Sequence, residues 1–444
     1  MQRSAFPAVW LAPRAIWVLL GIALLLAVAS AFAVLLTLVY VAGAVFLAML
    51  AADAALGPGG AALAIRRRPI PPLALGRAAT IEYDVRNRAQ LAIRVAIFEP
   101  AIEILTFASD SVQLRVPART EVSAHLALVP RERGRAHFGA LYAWVENDIG
   151  LLRRRFRIDA DEDARVFPDL SAVETSGKLA RRNTLIEAGL RRLRQRGSGH
   201  EFESLRDYVP GDGFRFIDWK ATARRGRMTV AQYDVERSQN VIVALDCGRL
   251  MTPRIGSARK LDYALTAALS VARIAQAASD NVGLVAFAAK PILDIAPRRG
   301  AAHVNALARA SYDLQPRFEE PDYETVFTEL RRRHAKRSLV ILFTDIFDPV
   351  TSAAVLAGLG TLVPRHVAMC VLMNDAAIEA ALDAPPTTVH DAFRTSVAMT
   401  LADERAKSIA ILRGRGIIVV DVPAPKLTVA LMDAYLDVKA RGLV

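Results

Sequence analysis

Between Arg14 and Asp53 the chain runs for 38 residues, Ala15 to Ala52, without a charged side chain. As one straight helix this run would extend about 57 Å, nearly twice a hydrocarbon core of roughly 30 Å. Two crossings joined by a tight turn use the whole stretch, each of about 17 to 18 residues, near the lower limit for spanning. The turn is expected near Ser30 and Ala31, where the side chains are smallest. Arg3 and Arg14 precede the run and Arg66, Arg67 and Arg68 follow it, so both flanks read as cytoplasmic. Ala29-Ser30-Ala31 imitates a signal-peptide cleavage site, but an apolar signal core normally ends within 15 residues. Here the apolar run continues well past that point, which favours a hairpin over a single span or a cleaved signal.

The other 406 residues have a different character. Of the whole chain 53% is apolar and 23% charged, too hydrophobic for disorder and enough for large buried cores. Its length is a soft prior for two or three domains. Two cysteines, Cys247 and Cys370, exclude a disulfide-stapled scaffold and any Cys-rich zinc module. The 7 histidines form no HExxH pair, and no GxxxxGK[ST] phosphate loop is present.

Periodicity divides the remainder. From 60 to 168 short runs alternate with period two, as in Ala79-Thr80-Ile81-Glu82-Tyr83-Asp84-Val85. Similar runs at Arg94 to Phe98, Ser111 to Val116, Val122 to Val129, Gly139 to Val145 and Leu152 to Ile158 predict a small antiparallel β-sandwich. From 238 to 444 continuous apolar strands alternate with amphipathic helices. The strands are expected at Val241 to Leu245, Val282 to Phe287, Leu339 to Phe343, Val367 to Leu372 and Ile417 to Val422. Helices are expected near 259–278, 303–312, 323–334, 393–412 and 427–439. That pattern predicts an α/β domain with a mostly parallel, doubly covered sheet.

Between the two lies a basic linker, 175–230, with 13 Lys/Arg against 6 Asp/Glu, a net of +7 within a chain total of +12. Thr184-Leu185-Ile186-Glu187 reads as a capping box. It opens a helix with Ile186, Leu190 and Leu193 on one face and Arg191, Arg192, Arg194 and Arg196 around the rest. Beside a membrane, these arginines suit anionic lipid. Nucleic acid would answer to the same charge but is disfavoured, since no recognised motif accompanies it. A solvated basic face is the bland alternative.

The most distinctive stretch follows, GSGHEFESLRDYVPGD from Gly197 and then RFIDWKATARRGRMTV from Arg215. Ser198 beside His200 makes no catalytic pair, because no nucleophile-elbow GxSxG exists. The alternating charges read as a salt-bridge clip. Arg206, Arg215 and Arg224 would fork onto carboxylates among Glu201, Asp207, Asp212 and Asp218, with Trp219 as a stacking face. Tyr208 leads into a turn at Pro210-Gly211-Asp212-Gly213.

This stretch resembles the signature of the bacterial family called domain of unknown function 58. The apolar hairpin, a strand-rich domain ending in Asn147-Asp148-Ile149-Gly150-Leu151 and the α/β domain follow that family's order. The resemblance implies a von Willebrand factor A-like final domain and a bacterial cytoplasmic (inner) membrane protein of more than one crossing, with its soluble domains on the cytoplasmic side. It also implies a protein partner, an AAA+ ATPase of the MoxR type.

In von Willebrand-type domains a divalent cation sits at an Asp-x-Ser-x-Ser loop beyond the strand ends. The matching positions here are Asp246, Gly248 and Leu250, of which only the first carries a side-chain oxygen. Arg249 adds an unhelpful charge, Asp345 matches a later acidic ligand, and the intervening threonine is expected within Asp322 to Thr325. Two carboxylates plus waters can hold magnesium, but the missing hydroxyls favour a lost or weak site. Cys247 is either a reactive thiol at that loop or core, and Cys370 is expected in the core. The functional expectation is a membrane-anchored, non-enzymatic interaction protein with no required cofactor. A metal-dependent binding protein or hydrolase using Asp246 and Asp345 is the alternative.

Overall fold

The computed structural model describes residues 8–29, 34–59, 62–169, 201–210, 213–214, 217–234, 238–346, 349–363, 365–374 and 376–443. They belong to two compact units, Met1–Phe167 and Pro168–Val444.

In the first unit, strand β1 (Ala8–Leu11) leads directly into helix α1 (Pro13–Ala29), and α2 (Val34–Leu56) returns. The expected turn at Ser30-Ala31 lies outside the described residues, bracketed by the two helix ends. One helix, Leu35–Leu56, is long and apolar enough to cross a membrane, and Pro13–Ala29 is a shorter apolar helix. Eleven strands follow: β2 (Leu63–Arg67), β3 (Leu73–Ala74), β4 (Ala79–Asn87), β5 (Ile93–Phe98), β6 (Leu105–Phe107), β7 (Val112–Val116), β8 (Glu121–Pro130), β9 (Gly134–Phe138), β10 (Leu141–Asn147), β11 (Leu152–Ile158) and β12 (Glu162–Phe167). They form sheets of order β1-β11-β10-β5-β7, β2-β4-β8-β6 and β3-β12-β9. Alternate residues turn inward, as the strand period requires; Ile81, Tyr83 and Val85 of β4 meet Leu141, Ala143 and Val145 of β10 in one core.

Three expectations need correction. The sandwich extends beyond 60–168, because β1, from ahead of the apolar helices, pairs with β11 along Ala8↔Arg155 to Leu11↔Leu152. Period-two reading misses a four-residue strand among exposed residues. The run expected at Gly139 to Val145 starts two residues late, at Leu141 in β10, and Gly139-Ala140 separates it from β9, a strand the expectation lacked. The sheets are not wholly antiparallel either, since β3 and β12 pair in parallel.

The helices and the sandwich are tied at one place. Asp53, near the end of α2, is buried, and its Oδ2 accepts from the backbone N–H of Leu151 at 2.7 Å and of Leu152 at 2.8 Å. The Leu151 carbonyl in turn accepts from Ala12 N, just ahead of α1, at 2.8 Å. Arg154 donates to the carbonyls of Asp53 and Ala54, in the last turn of α2, and of Pro58 just beyond it. Gly57 is required by this packing, because a Cβ there would stand 2.2 Å from the Arg154 guanidinium.

The second unit opens with β13 (Glu201–Asp207), α3 (Trp219–Arg225) and β14 (Thr229–Asp234), the two strands pairing antiparallel. Then come β15 (Asn240–Asp246), the short ladder β16 (Arg254–Ile255) with β17 (Ala258–Arg259), α4 (Lys260–Ala277), β18 (Asn281–Phe287) and β19 (Pro291–Arg298). Next are α5 (Ala301–Ser311), α6 (Tyr323–Arg333), β20 (Ser338–Phe343), α7 (Pro349–Gly360), β21 (Val367–Asn374), α8 (Ala376–Asp383), α9 (Val389–Gly414), β22 (Ile418–Pro423) and α10 (Leu427–Ala440).

The sheet order is β19-β18-β15-β20-β21-β22, parallel except for β19. Leu261, Leu265, Leu431 and Tyr435 cover one face, and Tyr323, Phe327, Leu359 and Leu412 the other. Burial on both faces explains why β15 and β20 read as unbroken Val/Ile/Leu runs. The sequence reading missed β19, α7 and α8. β19 is a half-exposed edge strand holding Pro291 and Pro297, residues that sheets tolerate at their margins.

Candidate functional site

Strand order reverses on either side of β15, and in such sheets ligands bind at the crevice beyond the strand ends there. Asp246 ends β15, and Asp345 follows β20 by two residues. Both are fully buried.

Asp246 is saturated by neutral donors. Its Oδ1 accepts from Gly248 N at 2.6 Å, and its Oδ2 lies 2.7 Å from both the Tyr323 hydroxyl and the Thr344 hydroxyl. Those two hydroxyls are themselves 2.8 Å apart. Burial pushes the Asp246 carboxyl above the ordinary aspartate range, against the pull of the Thr344, Gly248 and Tyr323 hydrogen bonds.

Asp345 is held by cations. Lys260 Nζ, on the first turn of α4 and wholly buried, donates to Oδ2 at 2.5 Å. Arg405, from α9, donates to Oδ1 at 2.7 Å, to the Ile346 carbonyl at 2.9 Å and to Asp421 at 2.8 Å. Ile346 N donates to the same Oδ1 at 2.9 Å. Two positive groups therefore face one fully buried carboxylate, with Asp421 sharing Arg405.

These residues do not fit a divalent cation. Each carboxylate oxygen already has a protein donor, and the ammonium of Lys260 occupies one side of Asp345. Gly248 is packed so that a Cβ would lie 2.7 Å from Pro321 and 2.9 Å from the Glu319 carbonyl, which leaves no space for a serine there. Leu250 brings no oxygen, and Arg249 turns aside to pair with Glu320. Among the described residues no three His, Cys, Asp or Glu side chains converge.

The expected threonine within Asp322 to Thr325 is corrected. Thr325 is exposed and its N–H is capped by Asp322, whereas the hydroxyls at the corner belong to Tyr323 and Thr344. Cys247 is completely buried, and burial pushes the Cys370 thiol up to about 12, so both lie in the core.

Sequence reasoning also missed Lys260 and Arg405, although a signal was present. Lys260 shares a helical face with Ala264 and Ala268, and Arg405 with Ala398, Ile409 and Leu412, all buried. A cation on an otherwise apolar stripe marks a buried ion pair.

Beyond the corner, α9 runs on. Val389, Phe393 and Val397, at spacing i, i+4, i+8 ahead of Arg405, are exposed, Phe393 to 68%. Val397 stands about 12 Å along the helix from Arg405.

The signature takes a different form from the network its charges imply. Asp218 is the N-cap of α3, accepting from Ala221 N at 2.9 Å, and Asp207 pairs with Arg227 at 2.8 Å. Arg206 donates to the Asp207 carbonyl, and Tyr208 stacks on Phe214 with ring centroids 6.3 Å apart. Trp219 and Arg224 lie exposed on α3. Local capping thus absorbs Asp218, while Asp207 pairs with Arg227 rather than with Arg206, Arg215 or Arg224. Gly211, Asp212, Arg215 and the side chain of Glu201 lie outside the described residues, as do Arg191, Arg192, Arg194 and Arg196.

Residues 204–407 match the family described as protein of unknown function DUF58. The chain is 24% identical over 156 residues to an uncharacterized protein of Mycobacterium tuberculosis H37Rv, covering 35% of this chain and 49% of that one. It is 27% identical over 125 residues to the uncharacterized protein YeaD of Bacillus subtilis, covering 28% and 30%. The match thus spans about half the length of the mycobacterial relative or less. Among solved structures the chain is similar to BatB from Bacteroides thetaiotaomicron, at 13% identity, 45% and 99% coverage and a TM-score of 0.30. The VWA domain of SpRpn10 matches at 11% identity, 45% and 94% coverage and a TM-score of 0.28.

Proposed function

Taking residues 204–407 as a domain of the unknown-function family 58, we propose that the chain is a membrane-anchored, non-enzymatic interaction protein. Its α/β domain docks a protein partner beyond the strand ends without a divalent cation. The observation that carries this reading is Lys260 Nζ at 2.5 Å from Asp345, both wholly buried. Lys260 and Arg405 supply the positive charge that a metal would bring, so the corner is held closed by the chain itself. Such a corner shapes a surface; it offers no open coordination position to activate water.

The partner in this reading is an AAA+ ATPase of the MoxR type, as the family resemblance implies. Val389, Phe393 and Val397 give it an apolar anchor at helical spacing on the same helix as Arg405, about two to four turns before it. The anchor in the bilayer is the α1–α2 hairpin, with both flanks cytoplasmic. Support comes from Leu151, whose N–H donates to Asp53 near the end of α2 and whose C=O accepts from Ala12 N just ahead of α1.

Calorimetry and affinity capture test the reading. The purified full chain is expected to show no heat with magnesium or manganese. Capture from solubilised membranes is expected to recover an AAA+ ATPase, with Phe393→Asp weakening recovery at least tenfold, the scale of an interface hot spot. Metal binding abolished by Asp246→Ala, or chelator-sensitive turnover of a small molecule, overturns it in favour of the metal-dependent alternative.

A further inference from the structure

The Asn147–Leu151 turn carries a feature that the tie between hairpin and sandwich does not use. Gly150 has φ +70°, and a Cβ placed on it would meet Arg14 Nη1 and Arg94 Nη2, each at 3.3 Å. Two guanidinium groups therefore reach the same point, one from the first turn of α1 and one from β5. Among the described residues neither has a hydrogen-bond or ion-pair partner. The nearby acids are committed elsewhere, Glu146 to Arg153 at 2.6 Å and Asp148 to Arg115 at 3.0 Å. Two guanidinium groups held together repel, modestly so where water reaches them, and an anion between them removes that repulsion; a guanidinium pair suits phosphate oxygens.

What surrounds the pair indicates which anion. Arg14 is the second residue of an apolar helix. Ahead of it, Trp10 is 56% exposed and packs edge-on against Trp144 at 6.4 Å, and the Arg153 guanidinium lies 5.5 Å from the Trp144 ring centroid. Exposed tryptophan beside arginine at the foot of an apolar helix is the composition of a bilayer's headgroup layer.

We propose that Arg14 and Arg94, converging over Gly150, bind the phosphate of an anionic phospholipid headgroup. The site rests on the membrane-anchored reading and adds a lipid class to it. Glycine at 150 leaves the approach open, and any side chain there would intrude between the two guanidinium groups. Each arginine contributes about fivefold in preference for anionic lipid, the equivalent of about 1 kcal/mol.

The test uses the full chain in nanodiscs of phosphatidylcholine with a minority of phosphatidylglycerol, extracted in mild detergent, with the retained lipid quantified by mass spectrometry. The wild type is expected to keep phosphatidylglycerol in excess of its share. R14Q and R94Q should each reduce that excess about fivefold, whereas R86Q/R88Q, at the other sheet, should leave it unchanged. R14K/R94K, which preserves charge and helix, should retain part of it, separating anion binding from misfolding. An R14Q/R94Q double variant that keeps the wild-type excess overturns the proposal. So does an excess that inorganic phosphate removes, which would assign the pair to a free anion. Failure of the wild type to float with vesicles instead sinks the membrane reading on which the site depends.

Discussion

Lys260 shows how much one side chain can decide. Moving an ammonium and a carboxylate out of water costs several kcal/mol per ion, and only close pairing offsets it. Lys260→Met leaves Asp345 with Arg405 alone and is expected to lower unfolding stability by about 3 kcal/mol, as measured by chemical denaturation of the detergent-solubilised chain. Asp246 behaves differently. Its carboxyl is raised by burial, so the folded state holds a proton that the unfolded state releases first. Stability contributed by the neutral form is present at low pH and is lost as pH rises from the ordinary aspartate value toward the folded one. Asp246→Asn is therefore expected to gain on the wild type as pH rises above about 4, read as the difference between two thermal-melting profiles. The sequence displayed the empty half of the corner, in Gly248 and Leu250, since missing oxygens are visible in any linear reading. The occupied half was hidden. Lys260 and Arg405 lie 85 and 60 residues from Asp345, and nothing short of the folded sheet brings them together.

Elements with a strong period were legible, and elements set by local hydrogen bonding were not. The doubly buried strands β15, β18, β20 and β21 announced themselves, because burial on both faces demands continuous apolar residues. In the signature, charge alternation implied ion pairs, but Asp218 serves as a cap. Asp218→Ala is expected to cost about 1 kcal/mol and to raise amide exchange at Ala221 and along the first turn of α3. The junction of α2 with the sandwich was equally hidden. Asp53 reads as the charge that ends an apolar run, yet it binds two backbone N–H groups about a hundred residues away. Arg154→Ala removes the donor to two last-turn carbonyls of α2 and to the Pro58 carbonyl and is expected to cost about 2 kcal/mol, with faster proteolysis between α2 and β2.

At the scale of the molecule, an uncharged run, a period-two region and an apolar α/β pattern are separate signals in the sequence, whereas the chain forms two compact units, Met1–Phe167 and Pro168–Val444. The participation of β1 in the sandwich left no such signal, because four exposed residues carry no period. With β1 and β2 both in the sandwich, the segments before α1 and after α2 belong to one body. On the proposed orientation, with both flanks cytoplasmic, a fluorescent protein fused after Val444 is expected to fluoresce and alkaline phosphatase at the same position to stay inactive.

The clamp at Leu151 also bears on how the chain would respond to membrane thickness. A helix on a slack loop absorbs a mismatch by tilting, at small cost per ångström. Here the Leu151–Leu152 peptide unit ties both helix feet to the start of β11, its C=O accepting from Ala12 N and its N–H donating to Asp53, so tilting drags the sheet with it. A thinner or thicker bilayer would then register as strain in a water-exposed β-structure, making the sandwich a lever on which lipid composition can act.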